Sequence, residues 1–533
     1  VVTVDEPAPG PALPAARRQV VGEDGTPAGP PGPFDPAAPA GDARWVWPDT
    51  AETYPGLVRA GVRVERCHDL ALTEALLSGY DGHWGEPRGL AAAWARLRGL
   101  PVPEDPPHRS DAGQPPAQLA LFETGHGPAL PGAESELAAA VAVHAEQLRR
   151  VAAVASPGRF RLLAAAESAG ALAAAEMGAV GLPWRSDVHD ALLTELLGPR
   201  PVGPGRPKRL AELADRIAAA FGATAAGPPG HGGEAAGRRG GYRINPDSPA
   251  EVVRAFARIG VTVPSTRAFV LRKIDHPAVE PLLRYKELSR LHTANGWAFL
   301  ASWVRDGRFR AEYVAGGVVS GRWATRGGGA LQIPKQLRRA VVADPGHLLV
   351  VADAGQLEPR VLAALSEDHR MAAAAGSTDL YAALAADAFD GDRGKAKIAL
   401  LSAMYGGTSG PGGVLLGTLR RRFPVAVDYV EAAARAGEQG KVVRSHLGRT
   451  CPPPSAGWFG EAGRTQPGEP GAPDEADDPA TAGPRDPGEP AADPGGGRTD
   501  AVARARGRFT RNFVVQATAA EWALILLAEL RGR

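Results

Sequence analysis

Cysteine, methionine and lysine are all scarce in this 533-residue chain. There are two Cys, Cys67 and Cys451, far apart in sequence and in no metal-ligand spacing. That excludes a disulfide framework and a cysteine zinc site, and it fits a reducing, cytoplasmic setting. Long apolar runs are missing as well: no stretch of about 18 apolar residues stands out, so no transmembrane helix and no membrane partner are expected. The first residues, VVTVDEPAPG, have neither an initiating Met nor the basic start and apolar core of a signal peptide. A dominant charge of either sign is absent, since the formal net charge is +1. Any nucleic-acid binding must therefore rest on local patches. Only seven of the sixty basic residues are Lys, and two of them, Lys395 and Lys397, share one short segment.

What is present reads as a multi-domain chain with a large core. Residues 1–42 are rich in Pro, Ala and Gly and expected to be only partly ordered. In 43–105, ARWVWPD and VRVERCHDL read as strands, and LTEALL and LAAAWARL as helical pieces. A Pro- and Gly-containing stretch, 106–133, reads as a linker. Ala-rich helical patterns fill 134–222, and Gly227–Gly241 reads as a flexible loop. Helices resume at SPAEVVRAFARIG, where Ser248 and Pro249 form an N-cap signal, and at HPAVEPLLRYKELSRLHTANGWAFLASWV. From 308 short strand-like pieces, RFRAEYV and GGVVSGRWATR, lead to LLVVAD, an apolar run expected to be a buried strand ending at Asp353. Helices are expected at 357–366, 379–389, 393–405 and 424–437. Residues 452–500, with ten acids and three Arg among many Pro and Gly, are expected to be a disordered acidic loop before a basic helix over 501–533.

Three separated blocks carry chemistry. In the first, Asp353 ends the apolar run and Glu358 follows five residues later. A buried acid at a strand end needs a partner or a metal, although a strand followed by a capping Asp is the plain alternative. In the second, Arg393, Lys397, Leu401 and Tyr405 recur every four residues, on one face of a helix. Two cations one turn apart repel unless an anion joins them, and a triphosphate is such an anion. Tyr405 beside Gly406 could offer a stacking surface to a base; a solvated basic helix edge is the alternative. In the third, Arg508, Asn512 and Gln516 repeat the spacing beside Arg504, Arg506 and Arg511. Arg contacts to phosphate position a duplex, and Asn or Gln can hydrogen-bond base edges.

These blocks resemble, in order, signature segments of the family A DNA polymerases, the bacterial DNA polymerase I type. Asp353-Ala-Gly-Gln-Leu-Glu-Pro-Arg360 resembles motif A, and Arg393-x3-Lys397-x3-Leu401-x3-Tyr405-Gly406 resembles motif B. Arg508-x3-Asn512-x3-Gln516-Ala-Thr-Ala-Ala520 resembles the helix before motif C. Tyr285-Lys-Glu-Leu288, Ser320-Gly321-Arg322 and Leu331-Gln332-Ile333-Pro334 resemble smaller segments between and before them. The resemblance covers roughly residues 160–533 and is nearest to the actinobacterial bifunctional 3′–5′ exonuclease/DNA polymerase type.

The resemblance implies a multi-domain α/β (α+β) fold: an RNase H-like remnant, then a right-hand polymerase with helical thumb and fingers and an antiparallel palm sheet. Mapped on this chain, 43–105 is a degenerate exonuclease-like block, 134–307 thumb and connecting helices, 308–368 palm, 369–451 fingers and 501–533 the last palm helix. It implies template-directed nucleotidyl transfer from a dNTP to a primer 3′-OH in replication or repair, with two Mg²⁺ ions, by a monomer bound to primer–template DNA. Asp353 and the backbone carbonyl of Ala354 would bind metal, and Lys397 would help pyrophosphate leave. Gln356, Glu358, Tyr381, Arg393, Lys397, Leu401 and Tyr405 would surround the nucleotide, Glu358 as a gate against a ribose 2′-OH. Arg322, Gln332, Arg508, Asn512 and Gln516 would contact DNA.

The chain also departs from the pattern. Gly355 replaces the motif A Ser, Leu401 the motif B Phe, and Tyr381 a His. No His-Asp-Glu turn of motif C follows Gln516, and the His68-Asp69 and His189-Asp190 pairs lie elsewhere. The chain therefore reads as truncated before motif C, with one of two catalytic Asp residues and impaired or absent activity. A non-catalytic primer–template binder is the alternative. No strand-borne Asp-x-Glu occurs in the first 150 residues, which makes a nuclease the weaker reading.

Overall fold

The computed structural model describes residues 2–4, 16–34, 43–106, 130–203, 205–225, 242–326, 329–406, 411–453 and 497–533. Most of the acidic loop, most of the 106–133 linker and all of Gly227–Gly241 lie outside the described residues.

Near the start β1 (Val2–Val4), β2 (Ala16–Arg18) and β3 (Gly32–Pro33) form a small antiparallel sheet. The two strands expected in 43–105 are short: β4 (Trp45–Trp47), then helix α1 (Thr50–Arg59), then β5 (Cys67–Asp69), parallel to β4. Helices α2 (Leu70–Asp81) and α3 (Leu90–Arg98) follow. One buried acid organises this unit. Asp69 accepts from the backbone N–H of Leu72 at 2.8 Å and from that of Thr50 at 2.7 Å, so it serves the first turns of both α2 and α1. Burial raises its pKa to about 7.

Helices α4 (Glu136–Ala153) and α5 (Pro157–Val180) pack on this unit. Next come β6 (Leu182–Pro183), α6 (Ser186–Leu197), α7 (Lys208–Ala220), the parallel pair β7 (Thr224–Ala225) and β8 (Arg243–Ile244), and α8 (Pro249–Arg258). Ser248 caps α8 as its sequence predicts, accepting from Glu251. Helices α9 (Ala268–Leu271), α10 (Val279–Asn295) and α11 (Trp297–Trp303) complete a helical cluster around Ile217, Phe256, Leu282 and Tyr285.

The strand-like region from 308 is mostly turn. Hydrogen-bonded strands are limited to β9 (Val304–Arg305), β10 (Arg308–Phe309), β11 (Glu312–Val314) and β12 (Ala324–Arg326). They are antiparallel: β10 lies between β6 and β9, and β11 pairs with β12. Helices α12 (Leu357–Ser366), α13 (His369–Ala375), α14 (Leu380–Ala388), α15 (Arg393–Tyr405), α16 (Pro411–Arg422), α17 (Pro424–Glu438) and α18 (Gly497–Gly532) then share one core that includes Leu384, Leu400, Val430 and Val515. The result is mostly helical with small sheets, so helix carries more of the α+β expectation than strand.

Two expectations are corrected. The buried strand ending at Asp353 does not form: Leu348, Val350 and Val351 are each more than 90% exposed. An apolar run becomes a buried strand only where neighbouring strands supply hydrogen-bond partners, and among the described residues none pairs with it. Second, α18 over Val502–Gly532 is long and apolar enough to span a membrane by length and composition. A soluble core helix passes the same test. Phe513, Val515, Ala517 and Leu524 are buried, and the helix packs chiefly on α17 and α5. The scattered Glu and Arg hid this run from simple inspection.

At its far end α18 is tied to the first folded unit. Arg531 donates to Glu176 of α5 at 2.6 Å, to the Tyr54 hydroxyl at 3.3 Å and to the carbonyl of Glu65 at 2.8 Å.

Candidate nucleotide and DNA site

Helix α15 begins and ends where its sequence dictates. Asp392 caps it by accepting from Lys395 N–H at 3.0 Å. Gly406 ends it in the left-handed conformation at φ 83°, the usual place for Gly. A Cβ on Gly406 would stand 2.7 Å from Cγ of Arg508, so the α15 terminus and α18 meet through a residue without a side chain. Gly406→Ala should therefore destabilise the fold by about 1–3 kcal/mol through φ strain and this clash, read as a lower urea midpoint.

Around α15 several predicted residues are joined. Gln356 sits at φ 57° before α12, and its side chain holds that turn in place. It donates to Asp379 at 2.8 Å and accepts from Leu380 N–H at 2.8 Å. Asp379 caps α14 and takes an ion pair from Arg393 Nε at 2.7 Å. Arg393, then Gln356, hold the Asp379 carboxyl down at about 2. The Arg393 guanidinium also lies 5.5 Å from the ring of buried Tyr381. Tyr405, at the other end of α15, donates to Glu358 at 2.6 Å. In this state the Glu358 carboxylate therefore holds the Tyr405 hydroxyl.

Lys397, half-buried one turn beyond Arg393, has no hydrogen bond or ion pair among the described residues. Leu401 packs partly on the α12–α18 core. Asp353 and Ala354 are exposed, and no described residue bonds the Asp353 carboxylate. Arg322 is exposed beside β12, while Gln332 accepts from Arg290 of α10 at 3.3 Å. On α18 Arg508 is exposed and Asn512 and Gln516 are half-buried. Arg511 turns inward to the carbonyl of Ala403 at 3.1 Å and locks α18 to α15.

Two residues had no role assigned from sequence. Asp379 is the hub between Gln356 and Arg393; its position just before an Ala-rich helix signals only a cap. Arg360 donates to the carbonyls of Gly355, Ser377 and Thr378 at 2.9, 3.0 and 3.1 Å, and to that of Ala375. It thus fixes the turn after Asp353 against the end of α13. The His-Asp pairs are structural. His189 is buried against the carbonyl of Asn295 at 2.9 Å, and Asp190 accepts from Trp297 at 2.8 Å.

The residues present do not form a two-metal site. Among the described residues no group of three or more His, Cys, Asp or Glu could hold a metal ion.

Helix α15, which carries Arg393 and Lys397, thus meets the long helix α18 through Arg508 and Arg511. Residues 238–410 match the sequence model of DNA polymerase family A. The DNA polymerase I of Chloroflexus aurantiacus is 29% identical over 215 residues, 35% of this chain and 23% of that protein. That of Caldicellulosiruptor bescii is 30% identical over 160 residues, 27% and 19% of the two chains. The thermostable DNA polymerase I of Thermus aquaticus is 34% identical over 117 residues, 20% and 14% of the two. The chain thus matches less than a quarter of these relatives' length. Its fold is similar to the POL domain of Pol1 from M. smegmatis, solved in complex with DNA primer–template and dNTP. The TM-score is 0.58 at 18% identity, over 91% of this chain and 75% of that one.

Proposed function

We propose that this chain grips primer–template DNA and an incoming dNTP as part of a template-directed DNA polymerase of family A, acting in replication or repair. The observation that carries this is the α15–α18 junction. Arg393 is aimed by Asp379 and Tyr381, Lys397 one turn away makes no ion pair among the described residues, and Gly406 at the other end of the helix seats Arg508. Two cations on one helix face suit a triphosphate, and Arg508, Asn512 and Gln516 suit a duplex end. The M. smegmatis structure of similar fold holds both kinds of ligand. In this reading 43–105 is an exonuclease-like shell and 134–307 the thumb and its connections.

A second reading, binding without chemistry, is favoured by Asp353. Family A polymerases use Mg²⁺, yet among the described residues Asp353 belongs to no group of three or more His, Cys, Asp or Glu that could hold it. Primer extension separates the two: nucleotide addition by the chain supports the polymerase, while tight binding with no addition supports the binder.

Both readings require phosphate contacts. The logarithm of primer–template affinity should fall linearly with the logarithm of salt concentration, and Arg508→Ala should reduce that slope by about 1. Fluorescence anisotropy measures it; a slope unchanged by the substitution would remove Arg508 from the interface.

A further inference from the structure

A cleft of about 400 Å³ opens where α2, α5, the turn after β11 and the 449–450 segment meet. It shares no residue with the α15–α18 junction. Its volume lies in the range of about 300–1,000 Å³ common to small-molecule sites.

Its deepest charged group is Glu167, whose side chain is 2% exposed. One carboxylate oxygen is held by Arg449, and the other accepts no hydrogen bond among the described residues. That second oxygen faces the backbone of Gly316, where a Cβ would stand 2.8 Å away at φ 61°. The glycine makes room for it. Arg449 is itself about nine-tenths buried, and its Nε has no hydrogen-bond partner. At the rim stand Trp84, 40% exposed with one edge over Gly79 of α2, and Arg88. The Arg88 guanidinium makes no ion pair among the described residues but lies near enough to Glu167 to act on its charge.

Arg449 is engaged with Glu167, and its open Nε lies under Gly321 toward Glu521, so a ligand for this set needs N–H donors for Glu167, a flat ring for Trp84 and an anion for Arg88. Guanine offers N1–H and N2–H side by side, a donor pair that suits a carboxylate. Adenine offers one exocyclic amine, next to a ring acceptor that would face the carboxylate. A phosphate completes the match at Arg88. We propose that this cleft is a separate site for an unpaired guanine nucleotide, with Glu167, held in place by Arg449, reading the base, Trp84 stacking on it and Arg88 holding its phosphate.

Titration calorimetry of the full chain without primer–template tests this, using GMP, AMP and short single strands ending in dG or dA. GMP should bind at least tenfold tighter than AMP. The surface variants Trp84→Ala and Arg88→Ala should each weaken GMP severalfold, and Glu167→Gln should abolish the preference for guanine. A dG-ended strand binding tighter than GMP assigns the site to a strand end, and equal affinity assigns it to the free nucleotide. Equal binding of GMP and AMP overturns the proposal. So does GMP binding that is lost in Lys397→Ala and kept in Trp84→Ala, which would place the ligand on α15. Because no primer–template is present, failure here leaves the polymerase reading standing.

Discussion

Arg449→Ala should cost the fold about 3–5 kcal/mol, more than any other single substitution considered above. Arg449 lies between two buried acids, Glu167 at 2% and Glu521 at 1% exposure. It bonds Glu167 directly and lies 4.0 Å from Glu521. Its backbone N–H donates to Ser445 at 2.9 Å, and Ser445 donates in turn to Glu521. Gly321 lets the chain pass over the guanidinium, because a Cβ there would stand 2.6 Å from Nε. Truncation leaves two acids in low dielectric without the cation that lies between them. Urea melts at pH 7 measure the loss, and a loss under 1 kcal/mol would show that water reaches both acids.

The second large effect is a pH dependence centred on Glu521. Burial raises its pKa to about 7 from 4.5, against the pull of Ser445 and Arg449. Between about pH 4.5 and 7 the folded protein keeps this proton and the unfolded chain has lost it. The unfolded state therefore binds fewer protons, and stability falls as pH rises through this window. Asp69, also raised to about 7, acts in the same direction. Buried His68 and His144, lowered to about 4 and about 3, act in the opposite one, since below about pH 6.5 the unfolded histidines take up protons that the folded ones refuse. The wild-type profile is thus partly cancelled. The difference between Glu521→Gln and wild type isolates the acid: relative to wild type, the variant should gain about 3 kcal/mol from pH 4.5 to 7, at about 1.4 kcal/mol per unit. Paired urea melts across that range measure it, and a flat difference would mean that Glu521 titrates normally.

How much could be read from sequence depended on how local the determinant was. Helix α15 was placed correctly because Asp392 and Gly406, its own flanking residues, set both ends. Alignment of Arg393 and Lys397 on one face followed from four-residue spacing alone. The strand before Asp353 failed for the opposite reason: Leu348 to Val351 have strand composition, but a strand is made by its neighbours. The hub at Asp379 was invisible because capping a helix and receiving Arg393 look the same in one dimension. Least legible was the Glu167–Arg449 pair, whose members are 282 residues apart. The motifs said nothing of these buried charges.

Among the contacts that hold helix α18 are Arg508 over Gly406 near one end and Arg531 on Tyr54 and Glu176 near the other. About 35 Å of helix separates the two fastenings at 1.5 Å per residue. Such a rod is keyed in rotation as well as in position. One residue inserted between them turns the far end by about 100°, which would swing Arg531 off Glu176 while Arg508 stayed in place. The length of this segment is therefore fixed by angular phase, so single-residue insertions should be tolerated less well than most of its side-chain changes.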